Sequence, residues 1–107
     1  MKAPLVSVVC LCYNHERFVG EAVRSVLNQT HPSIQLIVVD DHSTDGSQLI
    51  IEKLLTGHPS VEFISLGKNI GNCRAFNKGL EKVAGEFVID LSADDVLMPA
   101  RVETGVR

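Results

Sequence analysis

The chain has 107 residues, 45% of them hydrophobic, 21% charged and 5% aromatic, with no Trp. That length gives one domain with one core, and a net charge of −3 at this apolar content excludes disorder. Against 13 Asp and Glu, 10 Lys and Arg leave no basic excess for a nucleic-acid partner, and no apolar run reaches the ~18 residues of a membrane span.

Met1-Lys2 leads directly into a strand-like run, so no secretory signal is expected. Leu5 to Leu11 is a continuous apolar run of strand length, the mark of a strand covered on both faces. Phe18, Val19, Ala22, Val23, Val26 and Leu27 recur at helical spacing, with Glu16, Arg17, Arg24 and Asn28 opposite them, and Pro32 closes the segment. Ile34 to Val39 is a second strand ending at Asp40-Asp41. Ser43, Thr44 and Asp45 then offer oxygens to the start of a helix whose apolar face is Ile50, Ile51, Leu54 and Leu55. Gly57 and Pro59 stop it.

Val61 to Ile64 is a short third strand. A loop from Gly67 to Asn72 leads into a helix with Phe76, Gly79, Leu80 and Val83 on one face, broken at Gly85. Glu86 to Leu91 is a fourth strand, followed by Ser92-Ala93-Asp94-Asp95, and Pro99 suits the first turn of a last helix. The β-α-β-α-β-α-β-(α) order predicts an α/β fold: a Rossmann-like, mainly parallel sheet with helices on both faces. Cys10, Cys12 and Cys73 lack CxxC spacing and read as free thiols, the first two on one strand face.

In an open parallel sheet, ligands bind beyond the carboxyl ends of the strands. Those ends carry Cys12-Tyr13-Asn14, Asp40-Asp41 and Asp94-Asp95. Clustered carboxylates repel one another, so a cation or a hydrogen-bonding ligand is their natural counterweight. A dinucleotide fold needs a glycine-rich turn after the first strand, and none precedes Gly20. A phosphoacceptor receiver fold has its acidic pair after the first strand; here the pairs follow the second and fourth. What remains is a nucleotide base near Tyr13 and Asp41, with a divalent metal at Asp94-Asp95. Stability alone would read these residues differently. Asp94-Asp95 would cap the helix near Pro99, Asp41 would cap a turn, and Tyr13 would be a strand-end aromatic. Asp45 reads as a cap and Asn14 as a loop tie. Asp90, out of phase with Ile89 and Leu91, is expected to face a polar partner, and the four histidines show no metal spacing.

The runs Val6 to Asn14, Ser25 to Thr30, Ile37 to Gly46, Asn69-Ile70-Gly71, Ala75 to Gly79, Gly85 to Val88 and Ala93-Asp94-Asp95 resemble, in order, family 2 glycosyltransferases of GT-A fold. The resemblance implies an enzyme that transfers a sugar from a nucleotide donor, a UDP-sugar, to an acceptor hydroxyl with inversion. It places Tyr13 against the base, Asp41 on its imide edge and Asp94 on the ribose, with Asp95 holding Mg²⁺ or Mn²⁺ against the diphosphate. Gly71 lies where helix N–H groups could face the donor. The chain departs from the family pattern at Ser92, where many relatives have Asp, and at Phe76, where many have Arg; Arg74 is then the candidate for donor contacts. Family domains are about twice this length, within the usual span of one domain. Residues 1–107 therefore read as a donor-binding half without the acceptor site or the general base, so no catalytic residue is expected within them and the isolated chain is expected to be inactive. The alternative is a catalytically silent nucleotide-binding or assembly module. The resemblance also suggests a cytoplasmic location, at the membrane face in the full-length protein, and the fourth strand is expected to offer an open edge for a homodimer.

Overall fold

A computed structural model describes residues 4–105. The first strand, β1 (Val6–Cys12), forms because its apolar run can be buried on both faces; Val6, Val8, Val9 and Cys10 are fully enclosed. Helix α1 (Val19–Leu27) follows, then β2 (Ile34–Asp40), α2 (Ser47–Leu55) and β3 (Glu62–Ser65). Helix α3 (Asn72–Leu80) leads into β4 (Phe87–Ser92), and α4 (Arg101–Gly105) ends the described chain. The sheet is four-stranded and parallel, in the order β3-β2-β1-β4. β1 lies between β2 and β4, with Leu11 level with Val39 on one side and Ser92 on the other. The predicted α/β architecture is the one observed.

Period-two alternation in the strands divides the core into two layers. Val8, Cys10, Cys12, Leu36, Val38 and Leu91 meet Val23, Val26 and Ile51 from α1 and α2. On the opposite face, Val9, Ile37 and Val39 meet Ala75 of α3. Helices therefore cover both faces, as the sequence order predicts. Gly79 permits the close approach of α3: a Cβ there would stand 2.6 Å from Val9 Cγ1.

The ends of α3 and α4 differ from the sequence reading. α3 stops at Leu80 rather than running to Gly85, and Val83 reaches the same apolar layer from a turn. That turn is held by the Lys82 N–H on Gly79 O (3.0 Å) and the Val83 N–H on Leu80 O (3.1 Å), a tightening common at helix ends. Gly85 is needed for space: a Cβ would meet Ser7 Oγ at 2.6 Å and Leu5 O at 2.8 Å. Pro99 precedes α4 by two residues instead of opening it. Among the described residues, no helix is long and apolar enough to cross a membrane.

Candidate functional site

β2 and β3 extend the sheet from one side of β1, and β4 lies on the other, so the chain's direction of travel reverses between β1 and β4. Strand ends splay at such a switch point and leave a crevice. A cavity of about 570 Å³ lies there. β1 and its loop supply Leu11, Tyr13 and His15 to its wall; α3 supplies Asn72, Cys73, Phe76 and Asn77; β4 and its loop supply Asp90, Ser92 and Asp94.

The loop after β1 is fastened to the loop after β2. Asn14 sits at φ 55°, a left-handed conformation that Asn tolerates better than most residues. Its N–H donates to Ser43 Oγ (2.9 Å), and its Oδ1 accepts the N–H groups of Thr44 (2.8 Å) and Asp45 (3.3 Å). The His15 N–H donates to Ser47 Oγ at 2.9 Å. Asp45 accepts from the Ser47 N–H (2.9 Å) and the Glu16 N–H (3.1 Å), so it ties the start of α2 to this loop as a cap does. Partial burial works against ionisation of Asp45, but the bonds from Ser47 and Glu16 outweigh it and lower its pKa. The buried Asp40 carboxylate accepts both the N–H (2.9 Å) and the hydroxyl (2.6 Å) of Ser43, closing the turn. Behind these loops, burial pushes the Cys10 thiol up to about 12 and the Cys12 thiol to about 11, keeping both neutral and unreactive. Cys73, in contrast, is exposed.

Asp41 and Gly71, which the sequence offers as separate candidates, form one unit. The Asp41 carboxylate is almost fully buried and accepts the N–H groups of Ile70 (2.8 Å) and Gly71 (3.0 Å). Gly71 has φ 91°, a conformation glycine adopts without a Cβ penalty, and its backbone turns there into α3. Asn69 Nδ2 adds a bond to Asp41 O at 3.2 Å. The Gly71 N–H is thus committed to Asp41. Each Asp41 oxygen retains a further lone pair.

Asp94 is exposed at the cavity wall. Ser92 Oγ donates to its Oδ1 at 2.5 Å, and His15 Nε2 stands 3.9 Å from its Oδ2. The Ser92 bond foremost, with the nearby His15 ring, outweighs slight desolvation and lowers the Asp94 pKa. Its carboxylate is therefore anionic at neutral pH.

Asp95 uses Oδ1 to accept the Val96 N–H at 2.9 Å. No group of three or more His, Cys, Asp or Glu side chains able to hold a metal occurs among the described residues. Asp95 is exposed and offers a single carboxylate, so a hard cation held there would take its other ligands from phosphate oxygens and water.

The structure thus brings Tyr13 and Asp94 into one cavity, while Asp41, Gly71, Arg74 and Asp95 are not part of its wall. The Arg74 side chain lies exposed on α3, with no hydrogen bond or ion pair to another described residue. Among the wall residues without a ligand role in the sequence reading are Asp90 and His15. Asp90 faces the cavity rather than a polar partner, and His15 reaches Asp94.

The family model described as Glycosyl transferase family 2 matches residues 7–107. Chondroitin synthase of Escherichia coli is 36% identical over 102 residues, covering 95% of this chain and 15% of the relative. Staphylococcus aureus TarS, residues 1–349 in complex with UDP-GlcNAc, superposes with a TM-score of 0.86 at 28% identity, covering 95% of this chain and 30% of that one. A mannosyltransferase of Pyrobaculum calidifontis in complex with GDP-Man and Mn²⁺ gives a TM-score of 0.81 at 28% identity, with 94% and 30% covered. The chain spans 31% to 41% of the length of three further curated relatives. With a GT-A fold and a family match along nearly its whole length, this chain belongs to glycosyl transferase family 2.

Proposed function

We propose that this chain holds the nucleoside diphosphate of a sugar donor, a UDP-sugar, in the cavity between the carboxyl ends of β1 and β4. The observation that carries the reading is that Tyr13 and the anionic Asp94 share the wall of one cavity at the switch point of a parallel sheet. Tyr13 offers a half-exposed aromatic face to a base. Asp41 accepts from the imide N–H of the base through the lone pairs that Ile70 and Gly71 leave. Asp94 accepts from ribose hydroxyls, and Arg74 supplies positive charge for the diphosphate. TarS with UDP-GlcNAc and the mannosyltransferase with GDP-Man and Mn²⁺ support a donor site on this fold.

Asp95 would hold Mg²⁺ or Mn²⁺. When bound, such a cation acts as a Lewis acid that offsets charge on a departing nucleoside diphosphate. The residues that complete the reaction, an inverting transfer to an acceptor hydroxyl, belong in this reading to the part of the relatives' length that this chain does not span.

UDP is expected to bind in Mn²⁺ at least ~10-fold more tightly than in chelator, or ~1.4 kcal/mol. Asp95→Asn should remove the difference, and GDP should bind more weakly than UDP. Calorimetry reads all three. Equal UDP affinity with and without metal would take the cation out of the account, and a chain that binds neither nucleotide would overturn the donor reading.

The edge of β4 carries a second part of the proposal. Among the described residues no strand pairs with its outer side, and Phe87 and Val88 are exposed along it. Open N–H and C=O groups beside apolar side chains are a template for pairing with another chain. The edge has no Pro or Lys to block this, only Glu86 and Asp90. Light scattering is expected to show a mass that rises with concentration above the 11.7 kDa monomer. A constant monomer mass would remove this part of the proposal.

A further inference from the structure

A single histidine in a loop carries no signal in the sequence, but here His15 stands between two residues of the proposed donor site. Its backbone is fixed from three directions. The His15 N–H donates to Ser47 Oγ at 2.9 Å, and its carbonyl accepts from Phe18 (2.9 Å) and Val19 (2.8 Å) at the start of α1. The ring therefore projects from an anchored point.

The two ring nitrogens face different parts of the cavity wall. Nδ1 accepts the Tyr13 N–H over a long 3.5 Å. A ring that accepts at Nδ1 carries its proton on Nε2 when neutral. Nε2 faces Asp94 Oδ2 at 3.9 Å, about 1 Å longer than a formed hydrogen bond. The other Asp94 oxygen already accepts from Ser92 Oγ. His15 is about one-quarter exposed and Asp94 about half, at 25% and 53% of their side chains. An exposed carboxylate held at one oxygen can still swing about that contact. A second contact at the other oxygen fixes the direction in which its free lone pairs point.

We infer that His15 is a positioning residue. Its imidazole links the loop after β1 to the loop after β4, and it holds Asp94 toward a ligand bearing vicinal hydroxyls, such as ribose. This rests on reading the cavity as a nucleoside diphosphate site. It adds a group that acts through Asp94 and through the Tyr13 backbone. The contact follows from β1 and β4 being adjacent and level, with Leu11 opposite Ser92, which brings the two loops together.

The test compares UDP with 2′,3′-dideoxy-UDP, both with Mn²⁺. His15→Ala should weaken UDP roughly fivefold, the worth of the one hydrogen bond that Nε2 and Asp94 close as the ligand binds, and leave the dideoxy analogue nearly unchanged. It should add no further loss to Asp94→Ala. His15→Gln, which keeps an N–H donor at similar reach, should restore most of the affinity. Equal weakening of both nucleotides, additive losses or no loss would overturn the inference.

Ring ¹⁵N spectra of the free chain in mildly alkaline buffer need no nucleotide. The His15 proton should reside on Nε2, and the Nε2 resonance should move in Asp94→Ala. Identical ring signals in the two proteins would overturn the inference even if UDP binds. A ring that responds to Asp94 in a chain that binds no UDP would instead overturn the donor reading and leave the link between the loops standing.

Discussion

Gly79→Val is expected to destabilise the chain by about 3 kcal/mol, at the upper end of what overpacking a core costs. The new Cβ would lie 2.6 Å from Val9 Cγ1 and 3.2 Å from Val39 Cγ2. Both valines are fully buried in adjacent central strands, and β-branched side chains have few alternative rotamers with which to retreat. α3 would have to lift from the sheet. The gain in helix propensity over glycine, less than ~1 kcal/mol, does not offset this. Thermal unfolding should fall by roughly 15 °C for a domain of this size. Gly57→Ala is the control: no atom lies within 4 Å of a Cβ there, so the change should stay within ~0.5 kcal/mol. If the two variants melt together, the close approach of α3 is not a constraint on the fold.

Asp41→Ala is expected to act on stability and binding together. It removes the acceptor for the Ile70 and Gly71 N–H groups, which the buried carboxylate holds at 2.8 and 3.0 Å. Bonds to a charged partner contribute about 1.5–3 kcal/mol each, and part of the loss returns as a buried charge is removed and water reaches the loop. A net cost of about 2 kcal/mol is expected, with Asp41→Asn costing less because it keeps one acceptor oxygen. Chemical unfolding gives these values. At temperatures where the variant is still folded, calorimetry should show UDP binding lost along with the ordered entry to α3. Full UDP affinity in folded Asp41→Ala would show that this carboxylate serves only the loop.

The strands were legible along the chain because burial on both faces writes a continuous apolar run, as in Val6 to Cys12 and Leu36 to Val39. The end of α3 was not. Val83 continues the helical spacing from Phe76 and Gly79, but it reaches the apolar layer from a turn, and spacing cannot distinguish the two. Gly85 looked like a helix breaker, yet its place is set by Leu5 and Ser7 at the start of β1, nearly 80 residues earlier, at 2.8 and 2.6 Å from a Cβ.

The site divides in the same way. Tyr13 and Asp94 were visible because each lies just beyond the carboxyl end of a strand. The bond between Asp41 and Gly71 spans 30 residues and follows from the path of the loop before α3, which no local pattern encodes. His15 depends on two loops meeting through the β1–β4 register, so its partner could not be read from neighbouring residues. Asp90 was recognised as out of phase with Ile89 and Leu91. Its neighbour, however, is the cavity, because α3 covers β1 and β2 on that face and leaves β4 open.

The central claim is that the cavity between β1 and β4 receives a nucleoside diphosphate sugar. A second cavity, of about 460 Å³, opens at the opposite end of the strands beside His31, Gln35 and Ser60, and it provides an internal comparison. The most direct measurement is an amide NMR titration of the ¹⁵N-labelled chain with UDP-GlcNAc and Mg²⁺. The account predicts saturable shifts at Tyr13, His15, Gly71 and Asp94, with His31, Gln35 and Ser60 unmoved. Shifts centred on His31 and Ser60, or no saturable shift at any amide, would contradict it.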